Sequence, residues 1–447
     1  MKQVLRDARN IAMARYHKAR GFMAANHFDY PASAMTVIGV TGTNGKTSTC
    51  YMIYNILLQA GLKAAMMTTV STSVMGEGEE QLGHMTTADT KILNKRIAGM
   101  RDAGVQFLVL EVSSHALAQG RIFGIPISIA VMTNVTPEHL DYHRTMANYR
   151  NAKVKLFKMM AKNAKHGGSG VGIVNADDES SAWFVKYAPK PISYGVDHGD
   201  IKATQIKLKT NGVEYYTRID KQAYHIKVNI PGECYVYNSL AAVAACHQLG
   251  IKKKDIEDGI ASLSGIAGRM SRVEAGQDFS VIVDYAHTPD AFLKVIPSVR
   301  QATKGKVIVV TGAAGNRDNS KFPSMGRIAG ENADLVILTE EDAGKKSVRK
   351  LSELVAKGVR QAGKKEGEGL EFIDNRKKAI QKAILSAHKG DTVLLLGMGH
   401  EKVIDRPNGP EEWNDSQIAE QLIKKMLKKP AGHPAAKSAK LAAKPKK

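Results

Sequence analysis

The chain is 447 residues long with a mass of 48.5 kDa, room for two or three domains of roughly 100–200 residues each and too much for one small module. Apolar residues make up 43% and charged residues 24%, the usage of a globular chain with real cores, which excludes a globally disordered one. The net charge of +21 looks like a nucleic-acid signal, but the nine lysines from Lys424 to Lys447 meet no acid there, which leaves +12 for the rest.

Residues 1–35 read as a basic, helix-forming leader that ends near Pro31. Arg6, Arg9, Arg15, Lys18 and Arg20 are scattered among apolar positions, without the apolar core and cleavage site of a secretion signal. No later window approaches the roughly 20 apolar residues of a membrane span, so a cytoplasmic protein is expected. Cys50, Cys234 and Cys246 are too few and too far apart for a disulfide framework or a zinc knuckle, and read as buried thiols.

From Thr36 onward, strand-like apolar runs alternate with helical patterns. The strands are expected at Thr36 to Val40, Phe107 to Leu110, Ile127 to Met132, Gly172 to Val174, Val281 to Val283, Val307 to Val310, Leu335 to Leu338 and Thr392 to Leu396. Helical periodicity marks Ser48 to Ala60, Asn238 to Leu249 and Ile418 to Leu427. The alternation predicts an α/β fold with mostly parallel sheets, whose ligands collect at the strands' carboxyl ends. A P-loop central domain over 36–266 and a smaller Rossmann-like carboxy-terminal domain over 267–428 would meet near Gly265 to Gly268. Between 193 and 230, polar and apolar residues alternate around Asn211-Gly212, the pattern of an antiparallel hairpin added at one edge. The segment 429–447, rich in Lys, Ala and Pro, is expected to be a disordered tail that touches nucleic acid or anionic surfaces only nonspecifically.

The strongest motif is TVIGVTGTNGKTSTCYMIYNILLQAG, a buried strand that runs through Gly42, Thr43, Asn44, Gly45, Lys46 and Thr47 into a helix opening at Ser48. Glycines in such a P-loop let backbone N–H groups turn in on a phosphate, the lysine reaches the terminal phosphates, and the hydroxyl can hold Mg²⁺. The spacing is a variant, with Val40 where the common pattern has glycine, and a ligand-free glycine turn is the plain alternative. FLVLEVSSHAL delivers Glu111 at a strand end, where a carboxylate can serve Mg²⁺. TNVTPEHLDYH empties a further strand into Thr133, Asn134, His139, Asp141 and His143.

With GTNGKT, LEVSSHAL, TNVTPEHLDYH, YRNAKVKLF, NSLAAVAA, GRM, VDYAHTPDA, TGAAGNRDNSKFPSMG and GMGHE in that order, the chain resembles the Mur ligase family over about residues 36–427. These are ATP-dependent enzymes that add amino acids to peptidoglycan precursors. DYAHTPD and GMGHE resemble the branch that adds a diamino acid to UDP-N-acetylmuramoyl-L-alanyl-D-glutamate. The resemblance implies ATP and two Mg²⁺ sites. Lys46 and Thr47 would hold phosphates and the first metal, with Ser48 beside them, and Glu111 and His139 would serve the metals. Lys153 falls on a lysine that the family carbamylates, turning an ammonium into an anionic oxygen ligand. Asn134 and Asn238 would flank the nucleotide, Arg269 the phosphates and Asp284 the ribose. His287, Asn316, Arg317 and Lys321 belong to motifs that close over the reaction centre, with Arg317, Lys321 and Glu401 on the substrate side. Helix capping, turn formation and surface charge are the plain readings of these last residues.

The implied reaction has a substrate carboxylate attack the γ-phosphate of ATP, giving an acyl phosphate and ADP; an amine then attacks the acyl carbon and expels phosphate. Two anions must meet, so Mg²⁺, Lys46 and Arg269 are needed to offset charge. Two features depart from the family. Only about 35 residues precede the first strand, too few for the family's amino-terminal UDP-binding domain, whose task a separate partner would then perform. Where diaminopimelate-adding members have Asp-Asn-Pro-Arg, this chain has Thr339-Glu340-Glu341-Asp342-Ala343-Gly344, which suits a cationic side chain such as lysine or is simply an exposed acidic loop. The alternatives are a folylpolyglutamate-synthase-like ligase, a glutamate-amidating relative (weakened by the lack of four clustered cysteines), and a non-catalytic nucleotide-binding protein with a nucleic-acid-binding tail.

Overall fold

The computed structural model describes residues 16–17, 19–80, 86–209, 211–315 and 319–428. The start of the leader, the 429–447 tail, Asn316 and Arg317 lie outside the described residues.

Strand sequences such as VIGVT, FLVLE and ISIAVM are apolar without alternation because both of their faces are covered. They build a nine-stranded sheet in the order Glu77–Glu80, Ser71–Val74, Ala64–Met67, Phe107–Glu111, Thr36–Thr41, Ile127–Met132, Val171–Asn175, Lys190–Gly195, Ile201–Lys202. Only Ser71–Val74 runs against its neighbours. The order reverses around Thr36–Thr41, so the crevice beyond that strand is where a ligand fits. The register pairs Val40 with Glu111 and Thr41 with Met132, which brings the P-loop, Glu111 and the Thr133 loop out at one edge.

The expected hairpin is instead a separate three-stranded antiparallel sheet of Thr204–Lys209, Gly212–Ile219 and Gln222–Val228. Its inward residues Val213, Tyr215, Tyr224, Ile226 and Val228 join the core cluster beneath helix Cys234–Gln248. The sequence shows the alternation, but a third strand becomes necessary only once this helix has an apolar face to cover.

The second large sheet has the order Ser271–Arg272, Ser280–Asp284, Thr392–Leu396, Val307–Ala313, Leu335–Glu340, Gly369–Phe372, Lys365–Glu366, parallel apart from its first pair. Cys50 and Cys246 are buried as expected, whereas Cys234 is only half-buried.

A fully buried arginine closes the second sheet. Arg376 donates to both carboxylate oxygens of Asp415 at 2.9 and 2.6 Å and to the Leu396 carbonyl at 2.8 Å. It thereby ties a central strand end to the last helix, Asp415–Lys428. Removing the cation strands a carboxylate that has no exposure. Arg376→Leu is expected to cost about 3–5 kcal/mol in urea unfolding, with part of that recovered when Asp415→Leu is added.

Candidate active site

The P-loop is held rigid by what surrounds it. Gly42 and Gly45 have φ of 157° and 83°. A Cβ on Gly42 would lie 1.8 Å from Thr133 Oγ1, and one on Gly45 would lie 2.2 Å from Asn238 Oδ1, so no larger residue fits at either place. Asn44 is clamped: its N–H donates to Asn134 Oδ1 at 2.9 Å, and its carbonyl accepts from Thr133 Oγ1 at 2.6 Å and Asn134 Nδ2 at 3.0 Å. Helix Lys46–Gln59 starts here, its first turn free of acids. This is the electropositive cradle that a phosphate requires.

Thr47 Oγ1 donates to Glu111 Oε2 at 3.0 Å, and the same carboxylate oxygen accepts from Thr69 N at 2.9 Å. A hydroxyl beside a buried carboxylate at the mouth of a phosphate cradle suits Mg²⁺, which takes few protein oxygens and fills its shell with phosphate and water. Among the described residues no three His, Cys, Asp or Glu side chains converge on one point. The Thr47–Glu111 pair suits a metal that arrives with a nucleotide. Lys46 Nζ rests on the Thr43 carbonyl at 2.7 Å.

Lys153 is 1% exposed, and its Nζ donates to the Gly42 carbonyl directly behind the cradle. Burial and the Lys46 charge push its pKa well below the ordinary lysine value, against the pull of Glu138, Asp178 and Glu111. His139, which lines the same cavity, has Nε2 3.8 Å from Glu138 Oε2.

The second sheet reaches across the cleft. Arg269 Nη2 donates to Thr47 Oγ1 at 3.4 Å, while its buried Nε has no partner. Asp290, in the first turn of helix Pro289–Ala302, accepts from Asn44 Nδ2 at 2.6 Å. His287 Nε2 is 3.3 Å from Glu138 Oε1. Burial alone would raise the Glu138 pKa; the His287 hydrogen bond and the His139, His287 and Lys46 charges instead hold it well below the carboxylate range. The cavity between the two sheets has a volume of about 1240 Å³ and is lined by Lys46, Thr47, Glu111, Asn134, Asn238 and Arg269 among others.

Asp284 also lines it, with both carboxylate oxygens accepting backbone N–H groups, from Met270 and Ala286, at 2.8 Å. Lys321 donates to the His287 carbonyl at 2.8 Å, and Glu401 accepts from the Tyr285 hydroxyl at 3.1 Å. The run from Thr339 to Gly344 is not an exposed acidic loop. Glu340 is paired with Arg406 through both oxygens, at 2.7 and 3.1 Å, and Asp342 Oδ1 accepts from Asp405 N at 2.9 Å. Glu341 is 6% exposed and its Oε2 has no partner. Of the three acids, it alone has a buried oxygen to spare.

Residues 40–246 match the model of the Mur ligase middle domain, and residues 268–399 match that of the Mur ligase glutamate ligase domain. The chain is 34% identical over 415 residues to a UDP-N-acetylmuramoyl-L-alanyl-D-glutamate--2,6-diaminopimelate ligase of Clostridium acetobutylicum, covering 92% of this chain and 82% of that one. It is 35% identical over 411 residues to a UDP-N-acetylmuramyl-tripeptide synthetase of a Roseiflexus species, covering 90% and 81%. The chain belongs to the Mur ligase family. Members are ATP-dependent, ADP-forming ligases, so this protein is a ligase. Among solved structures, a UDP-N-acetylmuramoyl-L-alanyl-D-glutamate--2,6-diaminopimelate ligase aligns with a TM-score of 0.61 at 28% identity, over 88% of this chain and 79% of that one. Folylpolyglutamate synthase of Mycobacterium tuberculosis aligns with a TM-score of 0.70 at 15% identity, over 85% and 91%, a likeness of fold alone.

Three site residues escape the sequence reading. Glu138 stands inside the quoted TPEHLDYH, and Asp290 inside DYAHTPDA, where Thr288-Pro289-Asp290 is a helix-start signal. Arg121, which lines the cavity, carries no such signal.

His143 is a buried ring with Nε2 3.0 Å from Ser114 Oγ, pushed down to about 4 by burial and then by His115, Lys153 and Lys155. A histidine whose folded-state pKa is lowered stabilises fully above the unfolded value near 6.5 and less as pH falls toward 4. Urea stability of the protein should therefore drop between pH 7 and pH 5, by roughly 1–3 kcal/mol from this group. His143→Gln should flatten that drop.

Proposed function

We propose that this protein joins an amino acid to a carboxylate of a UDP-muramoyl-peptide, through an acyl phosphate, in cytoplasmic peptidoglycan precursor synthesis. The observation that carries this reading is the single cavity in which Lys46 and the Thr47–Glu111 pair of one sheet face Arg269 of the other. The named relatives act on such a precursor.

Mg²⁺, when bound with ATP, supplies the charge that lets an anionic carboxylate approach an anionic phosphate. Thr47 and Glu111 would hold it. Lys46 leaves the Thr43 carbonyl to meet the terminal phosphates, and the unused Nε–H of Arg269 is one more donor for charge that develops there. Lys153 is suited to carbamylation because its depressed pKa leaves an amine lone pair: the nitrogen bonds to the carbon of CO₂, loses a proton and becomes an anionic carbamate. His139 and this carbamate would serve the second metal. Asn134, Asn238 and Asp284 would seat the nucleoside. The contacts Asn44–Asp290 and Glu138–His287 span the cleft and would help to keep water from the acyl phosphate.

Lys321 and Glu401 would lie beside the incoming amino acid, and the acids of the run from Thr339 to Gly344 would favour a cationic side chain. The preferred amino acid is thus expected to be lysine or ornithine over diaminopimelate. The test is phosphate release from ATP and Mg²⁺ with UDP-muramoyl-dipeptide and each amino acid, with mass spectrometry of the product. One mass increment of amino acid less water is expected; no product with any of the three overturns the reading. Lys46→Ala should lower kcat by about 10²–10³. Lys153→Ala should abolish the bicarbonate dependence of the rate along with most of the activity.

A further inference from the structure

Helix Met146–Ala164 places Lys153 behind the phosphate cradle, and it also gives the cavity wall a second cation. Arg150, in the same YRNAKVKLF stretch, lines the cavity, as do Thr136, Asp178 and Trp183. Its guanidinium carbon lies 3.6 Å from the centroid of the Trp183 ring, so one face of the cation is covered and its N–H edge remains for a ligand.

Among the described residues Arg150 makes no hydrogen bond and no ion pair, and its Nε is buried without a partner. A guanidinium keeps its charge at any working pH, and a buried donor left unmade costs free energy. The carboxylates that share the cavity are engaged elsewhere. Asp178 accepts from Val135 N at 2.7 Å and from Ser180 N at 2.8 Å, and Asp177 from Val196 N at 2.6 Å and His198 N at 2.7 Å. Glu138 faces His139 and His287. Glu179 stands exposed on the Asp178 turn and makes no ion pair with Arg150.

Both members of the stacked pair are tied to the P-loop. Thr136 N donates to Thr43 Oγ1 at 3.0 Å, and that oxygen is 3.0 Å from the hydroxyl of Tyr149, the residue before Arg150. On the other side, the Val135–Asp178 bond joins the Thr133 loop to the turn that leads into helix Ser181–Val185, which carries Trp183. An unpaired cation is thus fixed on the wall of a cavity whose reaction consumes carboxylates and releases phosphate.

We infer that Arg150, backed by Trp183, is an oxyanion-recognition site separate from the phosphate cradle, for the inorganic phosphate that the reaction expels or for the carboxylate of the incoming amino acid. Both anions present the paired oxygens that a guanidinium edge meets bidentately, the geometry that favours arginine over lysine. The site rests on the ligase reading above, which supplies both anions.

The chain has two tryptophans, and Trp413 is 8% exposed within the core of the second sheet, so a fluorescence change on anion binding reports Trp183. The full chain, with its P-loop filled by Mg²⁺ and a nonhydrolysable ATP analogue, is titrated with inorganic phosphate and, separately, with lysine. A saturable change is expected with one of them. Arg150→Ala should weaken that Kd roughly tenfold, the loss of one charge-assisted contact. Arg150→Lys should recover part of the loss, and Trp183→Phe should remove the signal. No saturable change in the wild type, or an equal Kd in Arg150→Ala, overturns the site and leaves the ligase reading standing. Steady-state turnover then separates the two sources. A roughly tenfold rise in the Ki of added phosphate in Arg150→Ala identifies the expelled phosphate; an equal rise in KM for the amino acid, with that Ki unmoved, identifies the carboxylate. KM for ATP, which a general loss of fold would also move, should stay put in either case. If neither constant moves, the site takes no part in the reaction and the inference fails. Should the wild type turn over no acceptor, the ligase reading fails by itself, and the titration, which needs no turnover, still decides the site.

Discussion

The close approach of backbone to side chain at Gly42 and Gly45 is the constraint on which the site depends. With no Cβ at either position, Thr133 and Asn238 press directly on the loop. Asn44 is then gripped from both directions by Asn134, and the Thr43 N–H reaches the Asn134 carbonyl at 2.8 Å. Two segments from distant parts of the chain thus fix one turn before any ligand arrives. A cradle already in shape spends little binding energy on ordering itself, and its dipoles need no reorganisation as charge develops.

Charge is arranged around that cradle in pairs of unequal exposure. Lys46 and Lys153 repel each other across the Gly42 turn, and only the nearby carboxylates of Glu111, Glu138 and Asp178 make two lysines tolerable there. Lys153 bears the cost, since burial disfavours its ammonium. The same logic runs across the cleft. Glu138 stays anionic because His287 comes from the second sheet to meet it.

Much of this was legible in the sequence because it is local. Thr36 to Thr41 is a strand and Lys46 to Gln59 a helix for reasons contained in those residues, and the glycines between them announce a phosphate turn. Glu111 and Asn134 were also legible, as residues at the ends of apolar runs that a parallel sheet must bring to one edge. Of the two readings of the acids from Thr339 to Gly344, the exposed acidic loop fails. Nothing near Glu340 says that Arg406 will take both of its oxygens, or that Glu341 will be buried with one oxygen left over.

The sequence by itself determined the α/β alternation, the glycine turn between a strand and a helix, and the polar residues that stand at strand ends. It did so because periodicity, glycine placement and strand ends are properties of short windows. Only the tertiary structure decided which groups meet: Arg269 with Thr47, Asp290 with Asn44, His287 with Glu138, and the leader with the Arg121 turn. Each of these joins residues far apart in the chain, and such pairings follow from how two sheets and a leading helix bury their apolar faces together. No local pattern encodes that outcome, which emerges when the cores close.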